Sequence, residues 1–116
     1  MSCRIHTDRN GQFRLLRLEG SDFSPVQQAE FRGTVQTSLE SDGKTPFAID
    51  TTQLDLVGSC CLASIIEAGM TCHKLGVPVV LVEDRAHVLE VFEVVSLPSI
   101  LPIYPSLDQA TDSLKA

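Results

Sequence analysis

The chain has 116 residues and a mass of 12.6 kDa, which is enough for one domain that buries about two-thirds of the unfolded chain's surface. Hydrophobic residues make up 43% of it and charged residues 21%, and this balance excludes wholesale disorder. The net charge of −6 excludes general binding to nucleic acid or anionic membranes, because phosphate contacts need clustered Lys and Arg.

The N-terminal stretch and the cysteines predict a cytoplasmic protein with free thiols. Residues 1–10 lack the apolar segment of a signal peptide, and no apolar run reaches the roughly 20 residues that span a bilayer. A reducing compartment keeps Cys3, Cys60, Cys61 and Cys72 as thiols. Cys61 and Cys72 lie about 16 Å apart along one predicted helix, so we expect no metal site, and nothing indicates a cofactor.

Two strands are predicted to open the chain, over Arg4 to Asp8 and Phe13 to Leu18. Between them stands Asn10-Gly11, a pair typical of the type I′ hairpin turn because both residues tolerate positive φ angles. We therefore expect the chain to begin with an antiparallel hairpin.

A first helix is predicted to begin after Ser24. Ser24, Pro25 and Gln27 form a capping-box pattern with proline at the first helical position. Apolar residues then recur at four-residue spacing and mark one buried face: Phe31, Val35 and Leu39. The helix is expected to end near Asp42-Gly43.

The middle of the chain predicts a strand, a helix and another strand. Pro46 to Asp50 is a short apolar run typical of a buried strand. Helical spacing of apolar residues runs from Ser59 to Leu75, and Gly76 stands where a left-handed residue commonly ends a helix. Val77 to Val82 is apolar on both alternating sets, as a central parallel strand covered on both faces must be.

The last third of the chain predicts two helices around a short edge strand. Asp84 is expected to cap a helix with apolar positions Val88, Phe92 and Val95. Ile100 to Tyr104 contains proline, which is tolerated at the edge of a sheet and not in its centre. A second capping-box pattern, Ser106 to Gln109, opens a final helix with Ala110 and Leu114 on its buried side.

The resulting order, β-β-α-β-α-β-α-β-α, predicts a single α/β domain over residues 1–116. We expect a mixed sheet of four or five strands with helices packed on it and the N-terminal hairpin as its antiparallel edge. A long edge strand offers unpaired backbone groups, so homodimerisation stays open.

Three local patterns carry a family resemblance: Leu16 to Gly20, a strand ending in glycine; Ala48 to Leu62, an apolar strand ending in Asp that leads to a helix start; and Pro105 to Ala110. Together with the order of elements they resemble the STAS family (sulfate transporter and anti-sigma factor antagonist). The resemblance covers nearly the whole chain. It implies a STAS-like fold and a protein-binding module that is not an enzyme.

The family's apolar-Asp-Ser-Ser/Thr-Gly-Leu signature implies a phosphorylation site that is altered here. In members that act as anti-sigma factor antagonists, the anti-sigma factor is a kinase that phosphorylates a serine of this signature, and phosphorylation breaks the complex. Aligned on this chain, the aspartate, first serine, phosphoacceptor, glycine and leucine fall on Gly58, Ser59, Cys60, Cys61 and Leu62. The usual acceptor is therefore replaced by a thiol, which favours constitutive binding.

Ser59 and Cys60 each have a second interpretation. Serine is a preferred helix cap, and we favour that role for Ser59 over a phosphorylation site, although both could coexist. A thiol at a helix N-terminus can have a lowered pKa, so redox sensing by Cys60 is a minor hypothesis.

The resemblance also implies a partner-binding surface around the signature. Asp22 precedes the first helix, where many members carry an acidic residue. Asp50 is expected to end its strand at the same sheet edge, although it could equally accept N–H groups of its own turn. The predicted surface consists of Asp22, Asp50, Thr51, Thr52, Val57, Gly58, Ser59, Cys60, Cys61 and Leu62.

The leading functional hypothesis is an anti-sigma factor antagonist-like, partner-switching protein that binds a GHKL-type serine kinase. Two other roles stay open: a STAS subunit that binds the ATPase of a lipid-trafficking ABC transporter, and a ligand-sensing or scaffold protein. Catalysis is not expected, because none of the three histidines lies in a catalytic motif and no Gly-rich phosphate loop is present.

Overall fold

A five-stranded sheet with helices on both faces organises the chain. The structure, a computed structural model, describes residues 4–10, 13–21 and 23–114, with the backbone alone for 4–10 and 42. In chain order the elements are β1 (Arg4–Asn10), β2 (Phe13–Gly20), α1 (Pro25–Asp42), β3 (Phe47–Leu54), α2 (Ser59–Leu75), β4 (Val79–Val82), α3 (Ala86–Val94), a 3₁₀ turn (Leu97–Ser99), β5 (Ile103–Tyr104) and α4 (Leu107–Leu114).

The sheet order β1-β2-β3-β4-β5 confirms the predicted mixed topology. β1 runs antiparallel to β2, and all other neighbouring strands are parallel. Asn10 pairs with Phe13, so β1 continues past the predicted end at Asp8. Gly11 of the predicted turn lies outside the described residues.

Strand alternation divides the apolar side chains between the two faces of the sheet. On one face, residues such as Leu16 and Ile49 form the larger core cluster with α1, α2 and α3. On the other face, Leu15 and Ala48 pack with Ala110 of α4. β4 is buried on both faces, which confirms the interpretation of its continuous apolar run.

Three helix ends follow the predicted chemistry. The side-chain oxygen of Gln27 accepts the backbone N–H of Ser24 at 3.1 Å, as the capping box requires. α2 ends at Gly76, whose φ of 70° is left-handed and favours glycine. The hydroxyl of Ser106 accepts the N–H of Gln109 at 3.2 Å at the start of α4.

The predicted cap of α3 is wrong. Arg85, not Asp84, occupies the N-cap position. The carboxylate of Glu83 accepts the backbone N–H groups of both residues at 3.1 Å, so these donors are already satisfied from one position earlier in the chain. Val95 lies beyond the helix and is exposed. The buried residues that anchor α3 are Val88 and Phe92.

Three strands differ in length from their predictions. β3 runs to Leu54 rather than Asp50, because its polar second half pairs with the end of β2. β4 begins at Val79, since the N–H of Val77 instead bonds to a carbonyl in the last turn of α2 at 2.8 Å. β5 has two residues, because part of the chain that precedes it folds into the 3₁₀ turn.

Candidate docking site

The described parts of three loops lie at the edge of the sheet where β2, β3 and β4 end: residues 21 and 23–24, residues 55–58, and residues 83–85. The N–H of Asp55 donates to the carbonyl of Gly20 at 2.8 Å, which ties the loop after β3 to the end of β2. Asp22, predicted as a partner contact in the first of these loops, lies outside the described residues.

The loop after β3 leads into the N-terminus of α2. The first helical hydrogen bond runs from the N–H of Leu62 to the carbonyl of Gly58 at 3.0 Å, so Gly58 is the N-cap. Ser59 is the first helical residue and is exposed, so the prediction that Ser59 caps this helix is wrong. Gly58 has no side chain that could cap the helix, and the N-terminal end of α2, with its partial positive charge, faces the loop region.

The three residues after Ser59 differ in accessibility. Cys60 and Leu62 are half-buried and pack against the core. Cys61 is fully buried in the same cluster, so its side chain cannot contact a partner as predicted. Cys72, further along α2, is also buried, and desolvation raises the pKa of its thiol to about 11.

Leu56 is an exposed apolar side chain at the tip of the loop after β3. Its exposed fraction is 68%, whereas the neighbouring Val57 is half-buried against the core. Val57 belongs to the surface predicted from the sequence, whereas Leu56 does not. The available signal was a leucine in the short loop between Asp55 and the start of α2.

The structure separates Asp50 from the α2 N-terminus. β3 continues past Asp50, and strand alternation places its side chain on the α4 face, with Ala48 and away from α2. Its Oδ1 accepts the backbone N–H of Thr52 at 2.9 Å and the Thr52 hydroxyl at 2.6 Å, and its Oδ2 lies 3.5 Å from Nε of Arg17. The expectation that Asp50 ends its strand beside α2 is therefore wrong, and its local hydrogen bonds match the alternative reading.

A buried ion pair lies under the same edge, on the α2 face. The carboxylate of Glu83 is fully buried and accepts hydrogen bonds from Nη2 and Nε of Arg85 at 2.8 and 2.9 Å. The hydroxyl of Thr51, which is itself buried, donates to this carboxylate at 2.8 Å. Burial acts to raise the pKa of Glu83, but hydrogen bonds from Arg85 and Thr51 outweigh it, so the pKa lies below its usual value.

Arg85 also reaches across to β3. Its Nη2 donates to the carbonyl of Thr51 at 2.8 Å, and its Nη1 donates to the carbonyl of Leu54, the last residue of β3. The hydrogen bonds with Glu83 raise the pKa of Arg85, and they outweigh the opposing effect of partial burial. Neither charged residue was predicted from the sequence. The available signal was a Glu directly after the most apolar strand, because a buried carboxylate needs hydrogen-bond partners.

The buried carboxylate predicts a loss of stability in acid. Because the folded pKa of Glu83 is below the unfolded value, its contribution is present above the unfolded pKa and disappears as pH falls through the folded pKa. Urea unfolding should therefore show a free energy of unfolding that falls as pH drops below about 5 toward about 3, with a smaller slope in Glu83→Gln.

The matched control is Glu67→Gln. The pKa of Glu67 is also lowered, chiefly by a hydrogen bond from Arg32, but both side chains are exposed and their interaction is screened by solvent. The pH slope of Glu67→Gln should stay close to that of the wild type. Equal slopes in the wild type and Glu83→Gln would contradict the assigned role of Glu83.

Two negative findings concern the described part of the chain. Within residues 4–10, 13–21 and 23–114, no three His, Cys, Asp or Glu side chains are grouped as metal ligands. None of the helices in these ranges is long and apolar enough to cross a membrane.

Comparison with known proteins identifies the family. A family model described as "Mlab, STAS domain" matches residues 5–102. Rv2638 of Mycobacterium tuberculosis, whose name assigns it to the anti-anti-sigma factors, is 34% identical over 109 residues, which cover 94% of this chain and 74% of the relative.

Solved structures agree in fold. An anti-sigma factor antagonist from Mycobacterium paratuberculosis has a TM-score of 0.81 at 15% identity, over 98% of this chain and 95% of that one. The phosphorylated form of the Bacillus cell fate determinant SpoIIAA has a TM-score of 0.74 at 12% identity, over 96% of this chain and 99% of that one. The matched family model and the mycobacterial relative together show that this chain belongs to the STAS family, as a domain of the anti-sigma factor antagonist type.

Proposed function

We propose that this protein is a non-enzymatic anti-sigma factor antagonist that binds a GHKL-type kinase acting as an anti-sigma factor. The observation that carries the proposal is the exposed Leu56 beside the N-terminus of α2. An exposed apolar side chain at this position suits a partner that offers an apolar pocket. The name of the mycobacterial relative supports the same class of partner.

The contact surface in this proposal is narrower than the sequence predicted. It consists of the exposed and half-buried residues Leu56, Val57, Gly58, Ser59, Cys60 and Leu62. Thr51 and Cys61 are fully buried, and Asp50 and Thr52 are bonded to each other on another part of the sheet. These four residues would act through the packing of β3 and α2 rather than by touching the partner.

The proposed binding is constitutive rather than switched at the family position. Cys60 stands where the family signature has its phosphoacceptor, and a thiol is not a routine substrate of a serine kinase. Ser59 is exposed and carries a hydroxyl one position earlier, so it is the one alternative acceptor within the signature.

The experiment combines phosphorylation and binding. The purified protein and Ser59→Ala are incubated with ATP and each anti-sigma kinase of the same cell, and intact mass and complex formation are measured. Stable binding without added phosphate supports the constitutive antagonist. A phosphate that Ser59→Ala loses would instead assign the switch to Ser59, and the absence of both phosphate and binding would contradict the proposal.

A charge at Leu56 is expected to weaken the complex. Leu56→Asp places a carboxylate where the proposal has an apolar contact, and the dissociation constant should rise by about tenfold or more. Val94→Asp is the matched control, because Val94 is 84% exposed at the far end of α3. Isothermal titration calorimetry with the kinase that the wild type binds measures the dissociation constants of both variants. Equal weakening by the two variants would show that net charge, not the Leu56 surface, controls binding.

A second candidate function is binding to the ATPase of a lipid-trafficking ABC transporter. Cys60 at the acceptor position also favours this role, which needs no phosphorylation cycle, and the matched family model carries the description "Mlab, STAS domain". Affinity purification from the source cell separates the candidates. An anti-sigma kinase as the partner supports the first, and a transporter ATPase supports the second.

A further inference from the structure

We propose that Arg85 is a positioning residue that holds the loop after β3 in its docking shape, without itself contacting the partner. This inference rests on the proposed function, because it assigns a role to a residue behind the docking surface. Arg85 belongs to a different loop, and it bonds to backbone positions more than thirty residues earlier in the chain.

The Arg85 guanidinium joins the loop after β4 to the end of β3. Arg85 donates to the carbonyls of Thr51 and Leu54, which lie in the second half of β3, just before the loop of residues 55–58. The next residue, Asp55, donates its N–H to the carbonyl of Gly20 at the end of β2. The position from which Leu56 and Val57 project is thus fixed from both sides.

The guanidinium is in turn fixed by a buried anchor. Glu83 is fully buried, and it receives two hydrogen bonds from Arg85 and one from Thr51. A planar fork that binds a carboxylate with one edge can still donate to carbonyls with its remaining N–H groups, and lysine has no such fork. Arg85 is therefore chemically specific for this task.

A preformed loop matters for binding because disordered contacts lose affinity when they become ordered in the complex. The structure shows a loop whose N-terminal end is held by Arg85 and whose C-terminal end is the helical bond of Leu62 to Gly58. We infer that partner affinity depends on Arg85 through the conformation of residues 55–58.

The test separates positioning from charge pairing. Arg85→Lys keeps a cation beside Glu83 but cannot also hold the carbonyls of Thr51 and Leu54. Amide hydrogen exchange of Asp55, measured by NMR on the full chain, should accelerate by about tenfold or more. The amide of Phe47, bonded to the Pro78 carbonyl at the other end of β3, should keep its wild-type rate.

Two further variants complete the design. Glu83→Gln combined with Arg85→Met removes both charges, so no buried carboxylate is left unpaired, and Asp55 exchange should again be faster. Arg32→Met is the matched control, because Arg32 forms an exposed pair with Glu67 between α1 and α2 and should leave Asp55 unchanged. If Asp55 and Phe47 accelerate together in Arg85→Lys, Arg85 only stabilises the fold and the proposal is overturned.

The binding measurement uses the anti-sigma kinase that the wild type binds. Arg85→Lys should weaken that complex by about tenfold while the Arg32→Met complex keeps its affinity. Faster Asp55 exchange with unchanged affinity would contradict a role in docking. If the wild type binds no such kinase, the proposed function fails, and the exchange rates still decide whether Arg85 positions the loop.

Discussion

Replacing Cys60 with serine is expected to turn the protein into a substrate of the kinase that it binds. Cys60 is the second residue of α2, and a phosphoserine there would receive hydrogen bonds from the first helical N–H groups. It would also bring about two negative charges to the docking surface and weaken the complex by about tenfold or more. Intact mass and affinity, each with and without ATP, measure the two effects.

The control for this prediction is Cys60→Ala, which removes the thiol without adding a hydroxyl and should gain no phosphate at this position. A second variant, Gly58→Asp with Cys60→Ser, restores the family's acidic residue as well. A Cβ atom at Gly58 meets nothing within 4 Å, and its φ of −102° is open to any residue, so the backbone accepts this substitution. If neither serine variant is phosphorylated by a kinase that binds them, the placement of the family acceptor at Cys60 is wrong.

Truncating Phe92 to alanine is expected to cost about 3–5 kcal/mol of unfolding free energy. Phe92 is fully buried in the larger core cluster, and with Val88 it supplies the buried side chains of α3. Urea unfolding followed by circular dichroism measures the loss.

Val91→Ala is the matched control, because Val91 is on the same helix but exposed, and its truncation should change stability by less than about 0.5 kcal/mol. A loss below about 1 kcal/mol in Phe92→Ala would mean that α3 does not unfold together with the sheet. In that case Arg85, which occupies the N-cap position of α3, would belong to an element that moves independently of the sheet.

Local patterns predicted most of the fold. The capping box at Ser24, the left-handed end at Gly76 and the doubly buried β4 all appear in the structure as expected. These features are readable because a cap, a turn or a hydrophobic period depends on residues within a few positions of one another.

The prediction of the site was less complete. The α2 N-terminus was located correctly, but Ser59 was assigned the cap that Gly58 occupies, and Asp50 was placed at an edge that β3 reaches four residues later, at Leu54. Strand length was misjudged because Thr51 to Leu54 look like a polar loop in sequence. They are part of the sheet because this segment pairs with β2 and because the Thr51 hydroxyl donates to the buried Glu83 carboxylate.

The sequence by itself determined the order of the elements, the α/β class and the family, since all of these depend on residue identity and short spacing. Only the tertiary structure decided which side chains are accessible at the candidate site. It exposed Leu56, buried Cys61 and brought Arg85 to the end of β3. Parallel pairing of β3 with β4 joins segments about thirty residues apart, and no local pattern in the chain specifies that contact.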